Sequence, residues 1–117
     1  MDENSLIAID FDAIEWPDYD PVSPERVTRG QPSTSTVTFD SPENRMGLWR
    51  VTPGAFTTDH AGYIEFVHII SGSGRLVGDD GTVRELRAGT TSIMPEGWKG
   101  RWEVDSTMTK VFTIATV

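Results

Sequence analysis

Residues 63–72 read YIEFVHIISG, and this stretch decides the fold. Successive side chains of a strand point to opposite faces. Tyr63, Glu65, Val67 and Ile69 therefore share one face, and Ile64, Phe66, His68 and Ile70 the other. Both faces are largely apolar, which predicts that both are covered. In a sandwich or barrel one face meets the core. The other then meets a second subunit, giving a homodimer, or another part of the chain.

Outward from this strand the pattern is regular. From residue 46, short runs rich in β-branched and aromatic residues are broken at Pro53-Gly54, Ser71-Gly72, Asp80-Gly81, Ala88-Gly89, Pro95-Glu96-Gly97 and Asp105-Ser106. Such spacing predicts an all-β sandwich or barrel. Asp80-Gly81 suits a hairpin, because glycine supplies the positive φ of a tight turn. Nothing after residue 45 reads as a helix. Upstream, residues 1–45 read as extended. Ile7, Ile9 and Phe11 alternate with Ala8, Asp10 and Asp12 and predict a half-buried strand. Pro17, Pro21, Pro24 and Pro32 impose an irregular path. Thr34–Phe39 predicts a strand and Ser41-Pro42-Glu43-Asn44 a turn. The organisation expected is an acidic N-terminal arm over residues 1–29 and one β-domain over residues 30–117.

Composition narrows the function. With 117 residues and 13.0 kDa, the chain suits one domain with one core. Its net charge of −8 is confined to one end: the first 25 residues hold eight acids and no base, leaving ten of each sign in residues 26–117. An acidic chain lacks the basic face that nucleic acid or an anionic membrane requires, so neither is expected as a partner. The absence of Cys excludes disulfides and thiolate metal sites. Two histidines, His60 and His68, cannot supply three imidazole ligands. The acidic N-terminus, and the lack of an apolar stretch near the roughly 20 residues of a membrane span, predict a soluble cytoplasmic protein.

Two motifs carry a likeness. The first is GAFTTDH at 54–60, followed by Glu65 and, seven residues further, Gly72; the second is GTTSIMPEG at 89–97. Together they resemble the two motifs of the cupin superfamily, which implies an all-β jelly-roll β-barrel with an extended N-terminal arm. Gly47-Leu-Trp49, Thr52–Phe56, Tyr63-Ile-Glu65, Pro95–Trp102 and Lys110–Ile114 are similar to a small single-domain cupin family. It is named for (S)-ureidoglycine aminohydrolase and is akin to the ethanolamine-utilisation cupins. Metal-binding cupins use a His-x-His pair and a Glu from the first motif and a His from the second. Here His60 and Glu65 match. The partner of His60 would be Thr58 or Gly62, and the second-motif His falls at Gly100. Two donors are short of the three or four that a transition metal takes, so no metal or other cofactor is expected.

What replaces the metal follows from parity. If Gly100 faces inward, so do Trp98 and Trp102, and an indole beside Gly100 fills space a metal cluster would take. Lys110 shares a face with Met108, Phe112 and Ile114. A buried lysine needs a counter-charge, and Glu65 is the expected one. Glu65 and Lys110 are thus the candidate chemical residues; Trp49, Phe56, His60, Tyr63, Trp98 and Trp102 are the candidate ligand-binding residues. The alternatives are plainer. His60 falls in an expected loop, Thr57–Gly62, where it reads equally as a surface residue, and His68 reads as an interface residue. Trp16 reads as an anchor for the arm, and Arg50, Arg75, Arg84 and Arg87 as surface charges. Three functions fit: a small-molecule binding protein, an enzyme on an amide, ureide or amine with Glu65 as acid or base, and a non-catalytic oligomeric accessory protein.

Overall fold

The two longest strands, β6 (Tyr63–Gly78) and β9 (Lys99–Thr116), run antiparallel from Tyr63 opposite Thr116 to Gly78 opposite Gly100. This computed structural model describes residues 5–39, 41 and 44–117. Asp2 and Glu3 of the acidic arm, and Pro42-Glu43 of the expected turn, lie outside them. On its other edge β9 pairs with β5 (Gly54–Asp59) along its first half and with β4 (Arg45–Val51) along its second. Beyond β4 come β3 (Ser33–Thr38) and β1 (Asp20–Pro21); beyond β5 comes β2 (Val27–Gly30). β7 (Val83–Arg87) and β8 (Thr91–Met94) pair with the free edge of β6. The result is one curled, wholly antiparallel sheet, an all-β jelly-roll barrel. Among the described residues the one helical element is the 3-10 turn Pro24–Arg26, and no helix is long and apolar enough to cross a membrane.

Two expected turns are bends instead. Ser71-Gly72 and Asp105-Ser106 sit inside β6 and β9, where the register shifts between Ile69 and Gly74 and Ser73 faces Ser106. Both strands break at the same level, so the ladder resumes beyond the break. Gly72 is at φ 91°, and a Cβ there would run into the carbonyl of Thr107. Only glycine allows the strands to meet so closely while turning the corner.

Inside the barrel, Val51, Phe56, Val67, Ile69, Leu76, Met94, Trp102, Met108 and Phe112 form the core. The parity of β6 is as expected: Glu65, Val67 and Ile69 are buried. Its other face is only partly covered, with Phe66 still 45% exposed beside Ile93.

The arm differs from expectation over its first part. Ile7, Ile9 and Phe11 form no strand and are exposed. They line an apolar groove with Phe39, Met46 and Val111 on the outer face of β4 and β9. The alternation of these residues matched a strand, but among the described residues their backbone joins no ladder of the sheet. The arm is fastened further on. Ser35 donates from Oγ to the carbonyl of Pro17 at 2.6 Å, and the Val22 amide donates to Pro32. The guanidinium of Arg50 lies 4.7 Å from the ring centres of both Trp16 and Tyr19. Arg50 is therefore no plain surface charge. Arg75 also departs from that reading, since it joins Glu85, Glu103 and Asp105 in one network.

Candidate functional site

The inward face of β6 meets that of β9 through Ile69 opposite Lys110 and Val67 opposite Phe112. Trp49 on β4 lies opposite Lys110, and Phe56 on β5 opposite Trp102. These registers converge seven side chains on the inside of the barrel. Lys110 donates from Nζ to Glu65 Oε2 at 2.7 Å, and both residues are buried. This is the contact expected from parity. The ammonium also sits over aromatic faces, 4.1 Å from the ring centre of Trp49, 4.7 Å from Trp102 and 5.6 Å from Phe112. Such faces attract a cation, most strongly when water is excluded.

The other carboxylate oxygen is taken by His60, whose Nε2 lies 2.9 Å from Glu65 Oε1. His60 is 1% exposed, which overturns the reading of it as a surface residue. Strand β5 runs to Asp59, so the expected loop is shorter, and His60 is pinned where the strand ends. Its amide donates to Trp98, and its carbonyl accepts from Gly97 and Tyr63. The rings of Tyr63 and Trp98 pack on its imidazole, with centroids 4.7 Å and 5.7 Å away. Sequence parity did not reveal this burial, because His60 lies past the end of a strand where alternation no longer predicts direction.

Burial alone would raise the Glu65 carboxyl. The charge of Lys110 and hydrogen bonds from His60 and Lys110 outweigh it and lower the pKa to about 2. The carboxylate is thus ionised, and Nε2 of His60 is the donor. In the neutral imidazole this leaves the Nδ1 lone pair, which is buried without a hydrogen-bond partner among the described residues. Burial pulls the Lys110 ammonium below its ordinary value, and Glu65 acts in the opposite sense.

A cavity of about 200 Å³ opens onto Glu65, Lys110, Trp49, Phe56 and Trp102. His60, Tyr63 and Trp98 stand behind Glu65 and do not line it. The eight candidates therefore form two layers joined by one carboxylate. Sequence reasoning missed Arg26 and Arg45, which also line the cavity, as do Thr36 and Thr58. Arg26 belongs to the 3-10 turn of the arm, and its Nε donates to the carbonyl of Thr57. No sequence pattern links it to the barrel; the pairing of β2 with β5 brings it there. His68, half-buried on the outer face, bonds Thr91 at 2.8 Å.

The donor set does not suit a transition metal. His60 and Glu65 face each other, a cationic nitrogen occupies the remaining carboxylate oxygen, and no cluster of three ligating side chains exists among the described residues. At Gly100 a Cβ would lie 2.6 Å from Cη2 of Trp98 and would meet the carbonyl of Val77. The indole occupies the space that a side chain at this position would need.

Comparison with known proteins agrees with this architecture. The model of the EutQ-like cupin domain matches residues 40–112. The EutQ protein of Clostridium difficile superposes with a TM-score of 0.75 at 15% identity, over 93% of this chain and 86% of that one. A protein of unknown function from Pseudomonas syringae also gives 0.75, at 18% identity, over 88% of this chain and 45% of that one. A predicted oxalate decarboxylase from Thermotoga maritima gives 0.67 at 15% identity, over 95% of this chain and all of that one. At such identities the likeness is one of fold. No curated protein matches the chain.

Proposed function

The chain belongs to the EutQ-like cupin family, and from that membership and the geometry of its barrel we propose that it binds a small polar metabolite beside Glu65 and Lys110, without a complete metal site. The observation that carries this reading is the cavity of about 200 Å³ that opens onto a buried ion pair and the rings of Trp49 and Trp102. Binding sites combine apolar walls with a few fixed polar groups, and this one has both. An accessory protein whose barrel is plugged by its own side chains would leave no such space. The acid/base reading has weaker support. A carboxyl near 2 carries no proton to give at neutral pH and is a weak base, so the pair suits holding a ligand better than proton transfer.

The test is a metabolite panel read by melting temperature, on protein purified without chelator or metal-affinity tag and assayed for bound metals. A shift by a small polar compound without stoichiometric transition metal supports the reading. A stoichiometric metal, or no shift by any compound, overturns it. A cytoplasmic homodimer completes the proposal, with Phe66 and Ile93 in the interface. Light scattering tests this: Phe66→Glu is expected to halve the mass, and a monomeric parent protein would sink the idea.

A further inference from the structure

The pocket of a strongly acidic chain is rimmed by cations. Lys110 lies at its base and Arg26 at its edge, against the single carboxylate of Glu65. Glu65 accepts one of the three ammonium hydrogens of Lys110. Arg26 is exposed. It spends Nε on Thr57 and rests its guanidinium 5.5 Å from the ring centre of Phe56, while its two terminal amino groups bond no acceptor among the described residues. Arg45 lines the same cavity but already has an interaction of its own.

Building on the binding role above, we propose that the ligand is a short organic carboxylate, its anionic end held by the terminal amino groups of Arg26 and its body lying between Phe56 and Trp102 toward Lys110. Three observations select this class. First, Glu65 already neutralises Lys110, so Arg26 is the uncompensated cation of the pair, and its planar fork matches a carboxylate. Second, the walls between the two cations are aromatic, which favours an organic anion over an inorganic one. Third, 200 Å³ corresponds to about six or seven waters of liquid volume, so the ligand has about that many non-hydrogen atoms. Thr36 and Thr58 add hydroxyls that suit a hydroxy or oxo substituent.

The experiment is calorimetric titration of the full chain with two- to four-carbon carboxylic acids. Each acid is paired with its primary amide, which keeps the shape but removes the charge and one acceptor oxygen, and inorganic phosphate serves as a further probe. At least one acid is expected to bind about tenfold or more tightly than its amide, and Arg26→Gln to remove that preference. Arg26 is exposed, so the variant is expected to melt with the parent protein; Arg26→Lys should retain part of the preference. Equal binding of acid and amide in every pair, an unchanged preference in Arg26→Gln, or phosphate binding tighter than every acid overturns the carboxylate assignment and leaves the binding role standing. No binding by any acid, amide or phosphate overturns the carboxylate assignment, and the metabolite panel then decides the binding role.

Discussion

The imidazole of His60 presents Nε2 to Glu65 Oε1 at 2.9 Å, and this fixes which of its nitrogens carries the proton. An ionised carboxylate only accepts. Nitrogen-15 spectra of the neutral imidazole should therefore show a protonated Nε2 and a bare Nδ1. In Glu65→Gln the amide can turn either end to the ring, and the preference is expected to weaken. A protonated Nδ1 in the neutral form of the parent protein would contradict the assignment.

Removing one partner of the buried pair strands the other. Glu65→Gln leaves Lys110 without its counter-charge and is expected to cost roughly 3–5 kcal/mol in urea unfolding. Lys110→Met alone strands Glu65, although His60 still donates to it. The double variant should lose much less than the sum of the two single changes, because no charge is left unpaired. Additive losses would mean that the two groups are not coupled.

Stability is expected to fall with acid along a definite course. The folded Glu65 carboxyl titrates near 2 against an ordinary value of 4.5. A depressed carboxyl stabilises the fold above the ordinary value, and that contribution drains as pH drops through 4.5 toward 2. Its size is about 3 kcal/mol at 1.36 kcal/mol per pKa unit. Buried Lys110, whose pKa is lowered, acts in the opposite sense, and its lost stability returns only as pH rises toward its ordinary value. Urea titrations between pH 7 and 2 should show a shallower acid slope in Glu65→Gln than in the parent protein; parallel slopes would remove Glu65 as the cause.

Gly100 offers a check on the packing of Trp98 inside the barrel. Gly100→Ala places a methyl against Trp98 and the carbonyl of Val77. Overpacking of this kind costs about 1–3 kcal/mol. Trp98 packs on His60, so the indole fluorescence and the His60 resonances are expected to shift together. A fully stable Gly100→Ala with unchanged spectra would show that the indole does not rest on this glycine.

Much of the barrel was legible because strand parity is a strict code. Glu65 and Lys110, 45 residues apart, could be aimed at each other from alternation together with the motif likeness, since each sits within a strand among apolar neighbours. The code fails where strands end or bend. His60 lies one residue beyond β5, and its burial comes from backbone bonds to Trp98 and Gly97 that no local pattern encodes. Arg26 reaches the cavity by the pairing of β2 with β5, a relationship between two segments that share no sequence signal. Ile7, Ile9 and Phe11 alternate like a strand, yet alternation fixes only which side chains share a face, and their backbone joins no ladder of the sheet. Trp16 gave a truer indication, because a large aromatic in a proline-rich segment has few ways to be useful other than as a contact, here with Arg50.

The paired bends of β6 and β9 bear on how the molecule assembles. The ladder joins Gly78 to Gly100 at one end, 22 residues apart, and Tyr63 to Thr116 at the other, 53 apart. Closing the shorter span costs less chain entropy, so pairing can begin beside β7 and zip outward. The zipper must then pass the corner at Ser73 and Ser106, where register is interrupted, before it aligns Ile69 with Lys110. The pocket straddles that corner: Trp102 lies before it, opposite Leu76, and Glu65 and Lys110 beyond it. A refolding chain would thus set the aromatic wall of Trp102 before it brings Glu65 against Lys110.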